Sequence, residues 1–131
     1  MTDHLNDDDY AQKLNPASYH VLREKGTEPP FSGQLLTNHQ DGNYCCSACG
    51  RIVFNSKTKF DSGSGWPSFY EPENRSAVRL LEDNTQGLHR VEVACANCGS
   101  HLGHVFDDAA DQPGGKRYCI NSVALDFKRP V

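Results

Sequence analysis

Two C-x-x-C-G units, CSACG at residues 46–50 and CANCG at residues 95–99, constrain what this chain can fold into more than any other feature. Brought together, Cys46, Cys49, Cys95 and Cys98 supply four thiolates, the number and type of ligand that tetrahedral zinc prefers. Four protein ligands leave no open position, so one bound Zn²⁺ would be structural rather than catalytic. It would tie the middle of the chain to its later half. The glycine closing each unit, Gly50 or Gly99, suits a left-handed backbone that turns N–H groups toward the sulfurs. A pair of disulfides is the competing use of these residues. The acidic start, MTDHLNDDDY, lacks the basic opening and apolar middle of a secretory signal, so the expected compartment is the cytoplasm, where thiols stay reduced. Six cysteines in that setting read as ligands or reactive groups. Cys45 directly precedes the first unit. The spacing selects Cys46 as the ligand and, on a strand, turns Cys45 to the opposite face.

With 131 residues the chain is expected to form a single domain over residues 1–131, with residues 1–16 as an N-terminal arm. Apolar residues make up only 37% of it, so a metal cross-link would offset a thin core. A net charge of -4 argues against a nucleic-acid or anionic-membrane partner, and no run approaches the roughly 20 apolar residues of a membrane span. Asn15-Pro16 opens a helix with a capping side chain and a first-turn proline, residues 17–25 continue it, and Gly26 ends it. Glu28-Pro29-Pro30 is a breaker. Beyond it the chain reads as short strands at residues 44–46, 51–54, 77–81, 88–94 and 118–127, separated by turn clusters.

One cysteine stands apart, in KRYCINSVALDF at residues 116–127. Read as one strand, residues 117–127 place Arg117, Cys119, Asn121, Val123, Leu125 and Phe127 on a single face. Cys119 is therefore flanked by a guanidinium and an amide, with apolar packing beginning only further along. A strand cysteine is commonly a packed, unreactive residue. Its polar neighbours argue for the other use, a nucleophile whose thiolate Arg117 favours. Upstream, SHLGHVFDD at residues 100–108 holds His101 and His104 followed by Asp107 and Asp108. Two histidines with adjacent acids suit proton transfer with an orienting carboxylate, a second metal site, or simply a solvated turn. Trp66, the single tryptophan, lies in the glycine-rich FDSGSGWPSFY, where an indole can cap the core or wall a pocket.

CSACG, KFDSGSGWPSFY, CANCGSHLGHVFDD and RYCINS, in this order, resemble the B-type methionine sulfoxide reductases, which are specific for the R epimer of the sulfoxide. The resemblance runs from about residue 18 to residue 127. It implies a mainly β fold of two antiparallel sheets, β-tent-like, with short N-terminal helices and a structural zinc site. It also implies Cys119 as nucleophile and Cys46, Cys49, Cys95 and Cys98 as the zinc ligands, with Trp66, His101, His104, Asp108, Arg117 and Asn121 around the substrate pocket. One position departs from the pattern. Many members carry, directly before GWPSF, a cysteine that resolves the oxidised nucleophile, and here that place is Ser64.

The expected chemistry rests on these residues. The Cys119 thiolate attacks the sulfoxide sulfur while His104, held by Asp108 or Asp107, protonates the oxygen. His101 and Asn121 hold the oxygen or a water, and Trp66 packs on the methyl group. Methionine leaves and Cys119 remains as a sulfenic acid. Either Cys45 or an external thiol then resolves it. The implied partners are oxidised proteins or peptides and thioredoxin or another thiol reductant, acting on a monomer in the cytoplasm. Two other classes use parts of the pattern: a rubredoxin-like electron carrier uses paired knuckles, and a zinc-stapled binding module uses an aromatic pocket. Neither needs Cys119.

Overall fold

The computed structural model describes residues 14–84, 87 and 89–129, so all but the end of the arm expected over residues 1–16 lies outside the described residues. The first element among the described residues is a helix, α1 (Pro16–Glu24). Its cap is the one read from the sequence: the Asn15 side chain accepts from the Ser18 N–H at 2.8 Å, and proline occupies the first turn. Its end differs. Lys25, not Gly26, takes the left-handed conformation (φ 59°), and the Gly26 N–H then bonds the His20 carbonyl. No helix among the described residues is long and apolar enough to cross a membrane.

After α1 the described residues form turns, short 3₁₀ helices and nine strands: β1 (Asn43–Cys46), β2 (Ile52–Asn55), β3 (Lys59–Phe60), β4 (Ser68–Phe69), β5 (Val78–Asp83), β6 (Arg90–Cys95), β7 (His101–Phe106), β8 (Arg117–Ile120) and β9 (Leu125–Lys128). They form two antiparallel sheets, a three-stranded one in the order β2-β1-β9 and a six-stranded one in the order β3-β4-β8-β7-β6-β5. Aromatic rings join them. Phe54 of the small sheet stacks on Phe69 of the large one with centroids 4.5 Å apart, and Tyr44 meets Phe69 edge-on at 5.1 Å. Val21 and Leu22 of α1 bury into the same cluster, and the Ser18 hydroxyl anchors the helix to the Val123 carbonyl at 2.7 Å.

Two sequence expectations change here. Residues 117–127 are not one strand. β8 ends at Ile120, a 3₁₀ turn (Ser122–Ala124) comes next, and β9 belongs to the other sheet. The break has a hydrogen-bonding cause: the Leu102 carbonyl captures both the backbone N–H and the amide of Asn121, and the Glu28 carboxylate takes the Val123 N–H. The second change concerns residues 101–106, for which a turn is one reading of the sequence; they form β7, enclosed between β6 and β8. His101, Leu102, Gly103 and Val105 are buried and only His104 and Phe106 are half-buried, so the strand lacks the polar/apolar alternation by which strands are read.

The cysteine knuckles sit in the turns after β1 and after β6, one in each sheet. Gly50 (φ 84°) and Gly99 (φ 78°) are left-handed, as the spacing predicts, and their N–H groups bond the carbonyls of Cys46 and Cys95. All six cysteines are free thiols, and the sulfurs of Cys46, Cys49, Cys95 and Cys98 lie within 4.8 Å of one another. The Cys46–Cys98 and Cys49–Cys95 sulfur separations are 3.8 and 3.6 Å. A tetrahedron with metal–sulfur bonds of about 2.3 Å has edges of about 3.8 Å, so the donor set fits a single tetrahedral ion. The Cys46 thiol is pushed up and that of Cys49 pulled down, each chiefly by hydrogen bonding to the other, and a cation at the centre relieves that conflict. The cluster suits one structural metal ion. It bridges the two sheets.

A chelator strong enough to strip the ion, or Cys95→Ser, is expected to lower the thermal midpoint by more than about 10 °C, because binding energy at such a site is folding energy. Calorimetry with elemental analysis checks this, with one metal per chain lost in step with the transition.

Candidate active site

The register of the large sheet builds the site. Cys119 on β8 lies directly opposite His104 on β7 and Ser68 on β4, and His104 lies opposite Glu92 on β6. Residues opposite one another in antiparallel strands share a face, so these four form one row across the sheet. Two residues along, Phe106 pairs with Arg117 on the same face. The Arg117 guanidinium lies 4.6 Å over the Phe106 ring and donates through Nη1 to the Cys119 sulfur at 2.7 Å. The strands approach closely at Gly103, where a Cβ would fall 2.0 Å from the Cys119 carbonyl oxygen.

Histidines three apart point to opposite faces of a regular strand. Here they meet. The register shifts between Val93 and Ala94, so that Gly103 pairs with Val93 and His101 with Ala94, leaving Leu102 as the extra residue of a bulge. Leu102 turns fully into the core, and the His101 and His104 rings come within 5.3 Å of each other. Each imidazole holds a carboxylate: His101 Nδ1 lies 2.8 Å from Glu92 Oε2, and His104 Nε2 lies 2.7 Å from Asp83 Oδ2. Burial pulls the pKa of His101 down, with Glu92 partly offsetting it. His101 Nε2 is buried and has no hydrogen-bond partner.

Cys119 is only 8% exposed, yet its sulfur is not sealed in hydrocarbon. Besides Arg117 it faces the hydroxyls of Ser64 at 3.5 Å and Ser68 at 3.6 Å, which Ser62 links at 2.8 and 2.7 Å. It borders a cavity of about 80 Å³ with Thr27, Trp66, Arg90, Gly103, His104, Phe106 and Asn121. At roughly 30 Å³ per water molecule, that volume suits a group of a few heavy atoms with one apolar wall. The indole is fixed by its own N–H, which donates to the Glu28 carbonyl at 3.0 Å.

Sequence-predicted residues fall into three groups. Cys119, His104, Trp66 and Asn121 line this cavity, and Arg117 joins them through its bond to the Cys119 sulfur. His101 lies beyond it, in a wider, polar hollow of about 610 Å³ whose lining includes Lys25, Asp83, Arg90, Glu92 and His104. Asp108 is not the partner of His104. Its two oxygens accept from Arg117 Nε and Nη2, both at 2.8 Å, which holds its carboxyl below the usual range and raises the already high pKa of Arg117. Asp107 pairs instead with Lys116. Asn121 is pinned, accepting from the Glu28 N–H at 2.9 Å while donating to Leu102. Asp83, Glu92, Arg90, Thr27 and Phe106 escaped the sequence reading. Arg90 and Glu92 alternate along a recognisable strand, but such a face ordinarily meets water.

Residues 14–129 match the SelR domain. The peptide methionine sulfoxide reductase MsrB of Methanosarcina barkeri (strain Fusaro / DSM 804) is 55% identical over 123 residues, covering 94% of this chain and 86% of that protein. The protein of the same name from Leifsonia xyli subsp. xyli is 55% identical over 94% of this chain and 88% of its own length. That of Leptospira interrogans is 48% identical over 95% and 94%.

Gly103→Ala is expected to wedge β7 from β8 at the cavity wall. Metal content should stay at the parental level while the thermal midpoint falls by several degrees, the usual response to a methyl group forced into backbone. Elemental analysis and thermal denaturation, run on the same samples, test this.

Proposed function

The chain belongs to the SelR-domain family of peptide methionine sulfoxide reductases, and from that premise we propose that it reduces the R epimer of methionine sulfoxide in proteins and peptides through a sulfenic acid on Cys119. The observation that carries this reading is one sulfur held between a guanidinium and an imidazole-bearing strand at the mouth of a small, partly aromatic cavity. The cavity accepts the methyl sulfoxide end of the side chain, not a whole residue, which leaves the rest of the substrate polypeptide outside. Trp66, held by its N–H, offers its face to the methyl group, so the sulfoxide oxygen of one epimer alone turns toward His104.

The Cys119 thiolate attacks the sulfoxide sulfur, with Arg117 donating to it. His104 protonates the oxygen, since a sulfoxide is a poor electrophile until its oxygen carries a proton. The hydroxyl passes to Cys119 as the bond to the methionine sulfur breaks. Two electrons have moved: the methionine sulfur is reduced to the thioether and Cys119 is oxidised to the sulfenic acid. One thiol then condenses with that acid, releasing water, and a second thiol displaces the mixed disulfide. Arg117 and Asp108 clamp each other and keep a cation beside the sulfur through the cycle.

Thioredoxin or another external thiol supplies those electrons. Cys45 is poorly suited to the task. It is buried in β1 of the small sheet, opposite Ile52 and Asp126, and burial pushes its thiol up, away from the reactive thiolate. Cys46, Cys49, Cys95 and Cys98 would hold zinc, the usual occupant of four thiolates, as a structural ion apart from the reaction. The carrier and binding-module readings leave Cys119 and its row of partners without a use.

With dithiothreitol as donor, an R-sulfoxide peptide is expected to be consumed and its S epimer left, and Cys119→Ser to be slower by on the order of 10³-fold or more. A Cys119→Ser enzyme working at the parental rate refutes the proposal. Ser64→Cys places a second thiol where a hydroxyl now lies 3.5 Å from the sulfur. After one turnover that variant should hold a disulfide between position 64 and Cys119, seen by mass spectrometry of the unreduced digest, where the parent holds a sulfenic acid or a mixed disulfide.

A further inference from the structure

We infer that Asp83 is the positioning residue for His104, fixing the imidazole tautomer that faces the reacting sulfur. This deepens the reading above and rests on His104 as the proton donor. The two side chains meet across the sheet from β5 and β7, with His104 Nε2 at 2.7 Å from Asp83 Oδ2 and both side chains largely sheltered, at 11% and 15% exposure. An ionised carboxylate only accepts, so Nε2 carries the hydrogen. Nδ1 is left as the nitrogen that takes the proton the Cys119 thiol loses on becoming the thiolate and gives it to the sulfoxide oxygen. His104 lines both hollows, meeting Asp83 in the larger and sharing the smaller with Cys119. Arg90 Nη2, 3.4 Å from the same Asp83 oxygen, holds the carboxylate in place from β6. A carboxylate so placed orients an imidazole and stabilises the cation it becomes, the service a third group gives in nucleophile–base arrangements.

The geometry separates Asp83 from the other acids near the histidines. Glu92 is committed to His101 and Lys25, Asp108 to Arg117, and Asp107 to Lys116. The charged or titratable groups that share a hollow with His104 are Asp83 and Glu82 from β5, Arg90 and Glu92 from β6, His101 from β7, Cys119 from β8 and Lys25 at the end of α1. Among these, Asp83 bonds its ring.

The test is kinetic and spectroscopic, on the metal-loaded enzyme with an R-sulfoxide peptide. Asp83→Ala and the isosteric Asp83→Asn should lower kcat by about tenfold to a hundredfold, a part of the roughly 10²–10⁴-fold that the positioned acid itself contributes, with KM nearly unchanged. Should the alanine variant fold poorly, the asparagine variant carries the test. His104→Ala should be at least as slow, and Asp83→Ala combined with His104→Ala no slower than His104→Ala alone. Nitrogen-15 spectra of the parent should show His104 protonated at Nε2, and those of Asp83→Asn a mixture of tautomers. Parental kcat in both Asp83 variants, beside a slow His104→Ala, overturns the role of Asp83 and leaves the proton donor standing. Losses that multiply in the double variant, or an unchanged tautomer, overturn it as well. Parental turnover by His104→Ala removes the reading on which the inference rests.

Discussion

Four sulfurs within 4.8 Å of one another hold this structure to its shape. They are donated by two turns, one after β1 in the small sheet and one after β6 in the large sheet, and the row of Glu92, His104, Cys119 and Ser68 begins on the strands that flank the second turn. Aromatic contacts between Phe54, Tyr44 and Phe69 close the space between the sheets. They cannot fix how the hairpins are placed with the exactness that metal–sulfur bonds at this cluster would bring, since such bonds tolerate only a few tenths of an ångström. The Ser47 N–H inside the first knuckle also bonds the Ala124 carbonyl, joining the cluster to the turn beyond Cys119.

On that frame, chemistry is arranged by register. Antiparallel pairing sets Ser68, Cys119, His104 and Glu92 side by side, and a single bulge at Leu102 swings a second imidazole to the same face. The bulge also presents the Leu102 carbonyl to Asn121, which ends β8 and sends the chain to the other sheet. One irregularity thus groups the histidines and terminates the strand that carries Cys119.

How much of this the sequence discloses depends on the range of each interaction. The knuckles, their left-handed glycines and the Asn15 cap are local, with partners two to four residues away, and are legible in the chain itself. Arg117 beside Cys119 is legible for the same reason, since strand alternation extends that far. The face assigned beyond Ile120 fails because a carbonyl on β7, nineteen residues upstream, decides where β8 stops. Sequence proximity points to Asp107 and Asp108 as the acid for His104, whereas the bonded carboxylate is on β5, twenty-one residues away. β7 itself is obscured because most of it is buried and it shows no polar/apolar alternation. No local rule carries these.

Glu28 shows a different kind of silence. Its carbonyl holds the Trp66 indole and its N–H holds the Asn121 amide, so a main-chain unit, in a stretch that reads only as a breaker, sustains two walls of the cavity. Main-chain atoms are common to nearly every residue type. Evolutionary drift in the identity of residue 28 would therefore spare both bonds and disturb only the carboxylate's hold on Val123, whereas proline, lacking the N–H, would release Asn121. The shape of the cavity is inherited through the route of the polypeptide, and comparing side chains alone would never reveal who keeps it.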